Sequence, residues 1–200
     1  MALSYQRRLI SEQDYLEGER LSTIRHEYIN GDVYAMAGAS KNHDRIAGNV
    51  SRKLGNHLEN TPCEPFSSDM KVKVGKDFFY PDVIVVCDDK TEDEYYTESP
   101  IIIVEVLSKS TRRTDQTLKR LAYQNLPSLQ EYVLIEQDFV DVEICRRERH
   151  WQSEHYYLGD EVYFVAIDLR LPVEVIYARV VNDDMREFLA RRNEELNGNE

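Results

Sequence analysis

The chain has 200 residues, 42% of them apolar and 31% charged, with three cysteines and a formal charge of −12. That is enough for one folded domain with small appendages, and it excludes a disordered chain. No apolar run approaches the roughly 20 residues of a membrane span, and 37 acids against 25 bases argue at first against a surface that grips phosphate. The first eight residues lead into no apolar stretch, so nothing there suggests secretion. Cys63, Cys87 and Cys145 lie far apart. An odd, scattered set suits a reducing cytoplasm and argues against a disulfide scaffold or a zinc ribbon.

Residues 10–21 open with Ser11, carry Tyr15 and Leu16, and predict a short helix. Asn30-Gly31, set between alternating residues, predicts a hairpin, because both turn positions need positive φ. Over residues 42–59, Ile46, Val50, Leu54 and Leu58 recur every four positions with Ala47 beside them. That is one apolar helix face, capped by Ser40 or Asn42. Residues 64–74, 79–87 and 101–107 are rich in Val, Ile, Phe and Tyr and predict three strands, with the acidic stretch 88–100 as an exposed, mobile loop. Residues 114–125 predict a second helix, with Leu118, Leu121 and Ala122 as its apolar stripe and Leu126-Pro127-Ser128 as its stop. Strands at 131–136 and 140–147 follow, then a hairpin at 150–166 and a polar helix from Asp183 that frays over 197–200. The order αβββαβ, with an N-terminal hairpin and C-terminal strand additions, predicts a mixed α/β (α+β) fold: one central mixed sheet flanked by helices. Residues 1–182 form its single domain and 183–200 a polar helical tail.

Three residues sit badly with a purely structural role. Glu105 lies inside Ile101-Ile102-Ile103-Val104-Glu105-Val106-Leu107, which reads as a strand buried on both faces. Burying a lone carboxylate costs several kcal/mol against a net stability of about 5–15 kcal/mol, so it needs a cation, hydrogen bonds or an opening to solvent. The plain alternative is a strand-end Glu paired with a surface Arg. Asp82 opens the apolar run Val83-Ile84-Val85-Val86 after Pro81, where it is either a turn residue or a second acid beside Glu105. Two acids on neighbouring strands can hold one hard divalent cation such as Mg²⁺ or Mn²⁺. Lys119 stands four residues after Asp115 and four before Tyr123. Either it forms a solvated i,i+4 ion pair, or its helix lies back across the sheet and aims it at the two acids. Two acids and a lysine suit metal-assisted phosphodiester hydrolysis, in which charge grows on phosphorus.

Pro81-Asp82 followed by Glu105-Val106-Leu107, in this element order, resembles the PD-(D/E)XK nuclease superfamily. The fuller set, Glu27-Tyr28-Ile29-Asn30-Gly31-Asp32-Val33, His43, Ser68-Asp69, Pro81-Asp82-Val83, Val104 to Ser108, Ser110-Thr111, Asp115, Lys119 and Tyr123, resembles the Uma-two-type family of restriction endonucleases, formerly a domain of unknown function. The resemblance runs from about residue 10 to 180. It implies a restriction-endonuclease-like core, a metal on Asp82 and Glu105, DNA as substrate, and a homodimer. One position departs from the superfamily pattern. The lysine two residues after the second acid is Leu107 here, and the resemblance transfers its role to Lys119. Glu27 and His43 match positions that line the same pocket. Glu27 would be an outer ligand, or else a hairpin surface residue. His43 would contact phosphate or move a proton, or else cap or pack. The displaced lysine also motivates an alternative, a catalytically weak nuclease fold that acts as a DNA-binding or regulatory dimer.

The charge is uneven along the chain. Residues 88–100 hold six acids and one base, giving −5, and 183–200 hold six acids and three bases, giving −3. Residues 108–120 hold five bases against Asp115 alone, giving +4, directly after Glu105. The charge able to meet phosphate is therefore local.

Overall fold

The computed structural model describes residues 9–197, so the readings of the first eight residues and of the chain beyond 197 lie outside it. In chain order the elements are α1 (Glu12–Leu21), β1 (His26–Ile29), β2 (Asp32–Ala35), α2 (Lys41–Leu58), β3 (Cys63–Ser67), β4 (Lys71–Val74), β5 (Asp77–Phe79), β6 (Val83–Cys87), β7 (Tyr96–Thr97) and β8 (Pro100–Leu107). One continuous helix over 112–123 follows, made of α3 (Arg112–Thr114), a π-helical turn (Asp115–Lys119) and α4 (Arg120–Tyr123). The rest is β9 (Glu131–Glu136), β10 (Val142–Arg146), β11 (Ser153–Tyr156), β12 (Glu161–Phe164), β13 (Leu169–Pro172), α5 (Val173–Ile176) and α6 (Asp183–Asn197). The architecture is mixed α+β, with mixed sheets flanked by helices. No helix among the described residues is long and apolar enough to cross a membrane.

Local signals account for the first elements. Ser11 caps α1 by accepting the Asp14 N–H at 3.1 Å. Asn30 (φ 53°) and Gly31 (φ 86°) make the β1–β2 turn. Ser40 caps α2 by accepting the His43 N–H at 3.1 Å. The four-residue recurrence on α2 buries Ile46, Val50, Leu54 and Leu58 against Val83, Val85, Val104 and Val106.

Those valines belong to a six-stranded sheet ordered β11-β10-β9-β8-β6-β3, in which β8 and β9 run parallel and their neighbours antiparallel. Side chains alternate across β8. Ile102, Val104 and Val106 face α2, whereas Ile103 and Leu107 face a second core with Tyr123, Leu129 and Tyr132. A five-stranded sheet, β2-β1-β5-β4-β7, closes that second core with Ile29, Val72 and Phe79. Its outer face packs Tyr28 and Phe78 on Tyr15 of α1. Glu105 shares its face of β8 with Ile103 and Leu107, so it points between the two sheets.

Several expectations need correction. The single central sheet is two larger sheets plus the β12–β13 pair, because the predicted strand 64–74 breaks at Ser68 (φ 60°) into β3 and β4, which join different sheets. The stretch 79–87 divides likewise between β5 and β6. The acidic loop 88–100 is anchored: β7 pairs in parallel with β4, Thr97 is buried, and Tyr96 meets Phe78 edge-on at 5.3 Å. The predicted hairpin at 150–166 does not form, since β11 pairs with β10 and β12 with β13. Two of the three residues in the predicted apolar stripe of the second helix face outward: Leu118 is 39% exposed and Leu121 67%, whereas Ala122 packs against the second core, and Asp115, Lys119 and Tyr123 are buried. Two of the three cysteines are bonded. The register of β3 on β6 sets Cys63 opposite Cys87, and they form a disulfide, leaving Cys145 free and buried. The terminal helix α6 is polar, as expected, yet Met185 is buried in the first core.

Candidate active site

Three parts of the fold converge between the sheets. In the six-stranded sheet Val83 pairs with Val104, so one step further along the ladder Asp82 stands beside Glu105. Asp82 Oδ2 accepts the Val106 N–H at 2.6 Å, which fixes its carboxylate to the neighbouring strand. From the five-stranded sheet, β1 brings Glu27, whose Oε1 accepts the Tyr80 N–H at 3.2 Å. From above, the 112–123 helix brings Asp115, Lys119 and Tyr123.

Lys119 is the hub. Its Nζ lies 2.8 Å from Glu27 Oε1, 3.1 Å from Glu105 Oε1 and 3.2 Å from Asp115 Oδ1. Tyr123 donates its hydroxyl to Glu105 Oε1 at 3.0 Å, and Tyr132 donates to the Asp115 carbonyl at 3.0 Å. The π turn has Asp115 and Lys119 at its two ends and turns both toward the sheet. Such turns recur at functional sites. His43, one turn into α2, reaches Asp82 rather than the lysine, with Nε2 3.3 Å from Oδ2.

Burial governs the ionisation. It pushes the Glu105 carboxyl well above the usual range, with Asp115, Asp82 and Glu27 adding to the rise while Lys119 opposes it. Burial also raises Asp115, again against Lys119. Burial works against the charge of Lys119 itself, but Glu105, Glu27 and Asp115 overcome it and hold the ammonium well above an ordinary lysine. For His43, burial is outweighed by the hydrogen bond and charge of Asp82, so the imidazole is raised. These are group-specific consequences of collecting acids in a site that water barely reaches.

All five sequence candidates are therefore placed: Asp82, Glu105, Lys119 and Glu27 come together, and His43 touches the cluster through Asp82. Asp115 and Tyr123 are members that sequence reasoning did not select. Their spacing from Lys119 was visible, but two exposed leucines on the same helix drew the buried face to the wrong side. Asp69, quoted in the resemblance, is exposed and ion-paired with Arg25. As donors, the carboxylates of Asp82 and Glu105 fit a hard divalent cation, which one or two carboxylates plus waters and substrate phosphate suffice to hold. They do not form a dedicated cage: among the described residues no three His, Cys, Asp or Glu side chains stand as a ready metal group.

The chain is also similar to known proteins. Residues 12–174 match the family model described as "Uma2: Putative restriction endonuclease". Uncharacterized protein slr1290 of Synechocystis is 34% identical over 174 residues, covering 84% of this chain and 91% of its own. Uncharacterized protein sll1609 of the same organism is 34% identical over 151 residues, covering 73% and 82%. A crystal structure from Anabaena variabilis ATCC 29413, titled as "a putative nuclease belonging to DUF820", superposes with a TM-score of 0.73 at 17% identity, over 86% of this chain and 99% of that one. At that identity the likeness shows the fold.

Proposed function

Because the chain belongs to the Uma2 family, whose description is that of restriction endonucleases, we propose that it is a Mg²⁺- or Mn²⁺-dependent endonuclease that hydrolyses phosphodiester bonds in DNA. The observation that carries this reading is the pair of carboxylates on adjacent strands, Asp82 and Glu105, beside the buried ammonium of Lys119. Asp82 and Glu105 would hold the metal. When bound, the metal supplies Lewis-acid stabilisation of the phosphoryl oxygens and a water of lowered pKa.

The remaining chemistry belongs to the chain. Lys119, fixed by Glu27, Glu105 and Asp115, presents a preorganised positive charge where negative charge grows on phosphorus. Tyr123 holds Glu105 in place. The Val106 N–H does the same for Asp82, and His43 stands on the Asp82 side to meet phosphate oxygen. The homodimer is part of the same proposal and is read by light scattering. A cytoplasmic DNA substrate is part of it too.

The test is cleavage of supercoiled plasmid with Mg²⁺ by wild type, Asp82→Asn and Glu105→Gln, with folding checked by circular dichroism. Cleavage by wild type that falls at least a hundredfold in both variants supports the proposal. Equal activity in all three defeats it. Metal binding and DNA binding without cleavage would favour the alternative, a nuclease fold kept as a binding module, which Leu107 at the usual lysine position motivates.

A further inference from the structure

Exposure locates the open side of the site. Glu105, Lys119 and Asp115 are buried, whereas the side chains of Asp82 and His43 are 17% and 16% exposed. Solvent, and with it a substrate, enters from the Asp82 side. Ser68 borders that side, because its N–H donates to the Asp82 carbonyl at 3.1 Å. Asp69 follows and is ion-paired with Arg25, two residues before Glu27, and both partners are exposed. The pair thus links the chain beside Asp82 to the strand that carries Glu27. The β1–β2 hairpin forms the rim there. Tyr28 and Val33 pack on the α1 side, so Glu27 and its ladder partner Tyr34 face inward. The Met36 N–H donates to the Arg25 carbonyl at 2.9 Å, which extends the same register and sets Arg25 and Met36 on the inward face as well. An inward face is ordinarily covered. Tyr34 is instead 47% exposed, and among the described residues it has no hydrogen-bond or ring partner.

We infer that this rim receives one unpaired nucleotide of single-stranded DNA, with Tyr34 stacked on its base and Arg25 exchanging Asp69 for its phosphate. The inference rests on the endonuclease reading and names the substrate class for it. Arg25 and Tyr34 are diagonal neighbours on one face, roughly 7–8 Å apart along the ladder. A guanidinium grips phosphate oxygens with paired N–H groups, and an aromatic ring stacks on any base. Two physical points choose a single strand over a duplex. In a duplex each base is covered on both faces by its neighbours, so a ring on the protein has nothing to stack on. A duplex held by its backbone also needs many cations, and the site offers few. The exchange at Arg25 is easy, because an exposed ion pair contributes little. Until a phosphate arrives, Asp69 keeps the guanidinium at the entrance. Supercoiled plasmid exposes unpaired stretches transiently and remains a substrate.

The test is fluorescence anisotropy of a fluorescein-labelled single-stranded oligonucleotide, and of the same sequence as a blunt duplex. Each is titrated with the full chain, with Ca²⁺ in place of Mg²⁺ so that binding is read without cleavage. Wild type should bind the single strand about tenfold more tightly than the duplex. Tyr34→Ala should weaken single-strand binding roughly five- to a hundredfold, the range for one base on an aromatic side chain, whereas Tyr34→Trp keeps it. Arg25→Gln should weaken binding severalfold and Asp69→Asn strengthen it. Opposite signs mark an exchange, since a merely structural pair would weaken binding alike from either end. All three positions are exposed, and circular dichroism checks that each variant is folded. The rim is overturned by a duplex bound as tightly as the single strand, by no loss in Tyr34→Ala, by shifts of the same sign in Arg25→Gln and Asp69→Asn, or by binding of neither DNA. If the single-strand preference and its dependence on Tyr34 hold but Mg²⁺ and Mn²⁺ produce no cut in that strand, the rim stands and the endonuclease reading falls. Metal-dependent cleavage that Tyr34→Ala leaves untouched on single strand and duplex alike keeps the endonuclease reading and overturns the rim.

Discussion

Replacing Lys119 with Met in metal-free buffer removes the ammonium and keeps most of the aliphatic stem. Three oxygens at 2.8, 3.1 and 3.2 Å lose their cation. With an effective dielectric constant of about 20, each contact near 3 Å is worth roughly 5 kcal/mol of gross attraction. Desolvation of the lysine and repulsion among the acids cancel most of that. Removing one partner of a buried pair typically costs about 3–5 kcal/mol, and the same loss is expected here at pH 7. Urea unfolding followed by the single tryptophan, Trp151, which packs against the second core, reads it as a lower midpoint at unchanged slope. Adding Asp115→Asn sharpens the test. That substitution should be more favourable in the Lys119→Met background than in wild type, with a coupling of about 1–3 kcal/mol. A loss below about 1 kcal/mol, the value of exposed pairs, or a coupling of zero would refute the picture of a buried lysine shared by three acids.

The Cys63–Cys87 bond spans 24 positions. On the loop-entropy account a bond of that span contributes about 3.5 kcal/mol, so Cys63→Ser/Cys87→Ser should melt roughly 7–14 °C lower, and calorimetry showing no change would reject it. Burial acts to raise the Glu143 carboxyl, but hydrogen bonds from Ser153 and Arg120 outweigh it and leave the group lowered. A lowered carboxyl stabilises the fold above its unfolded pKa of about 4.3 and loses that contribution as pH falls through the folded value. Glu143→Gln should therefore flatten the loss of stability below about pH 4.5; an unchanged acid limb in chemical denaturation counts against this. DNA affinity measured against salt should fall with a log–log slope near −2, the value for about two phosphate contacts, and a slope steeper than about −4 would show a basic surface elsewhere.

What could be read from the sequence was what local chemistry dictates. The Asn30-Gly31 turn, the Ser40 cap and the α2 face all formed, because each depends on residues within one turn or one hairpin. Glu105 was legible for a different reason: a carboxylate in an apolar strand demands a partner, whatever the fold. What could not be read depends on pairing at a distance. Nothing local to Cys63 or Cys87 reports that β3 lies on β6 in the register that joins them. Helical periodicity showed two stripes on residues 112–123, but not which one faces the sheet. Hydrophobicity alone chooses Leu118 and Leu121. The structure chooses Asp115, Lys119 and Tyr123, because Glu27 and Glu105 already stand on the sheets below and would otherwise be buried without a cation.

The same placement changes the meaning of the local positive charge. Of the five bases in 108–120, Lys119 is enclosed by acids, Arg112 makes two 2.6 Å hydrogen bonds to Glu136, and Arg120 is paired with Glu143. Five less three leaves Lys109 and Arg113, both exposed. The site below them holds four carboxyl groups, Glu27, Asp82, Glu105 and Asp115, and its one ammonium and one imidazole are already paired with them. Without a metal, the site therefore offers phosphate no unpaired cation, and the two surface cations are screened by salt. On the nuclease reading, the divalent cation therefore does two things at once: it supplies the chemistry and it reverses the sign of the charge that the scissile phosphate meets. Metal loading and productive DNA binding are then one coupled event, which is how a chain of net charge −12 can act on a polyanion.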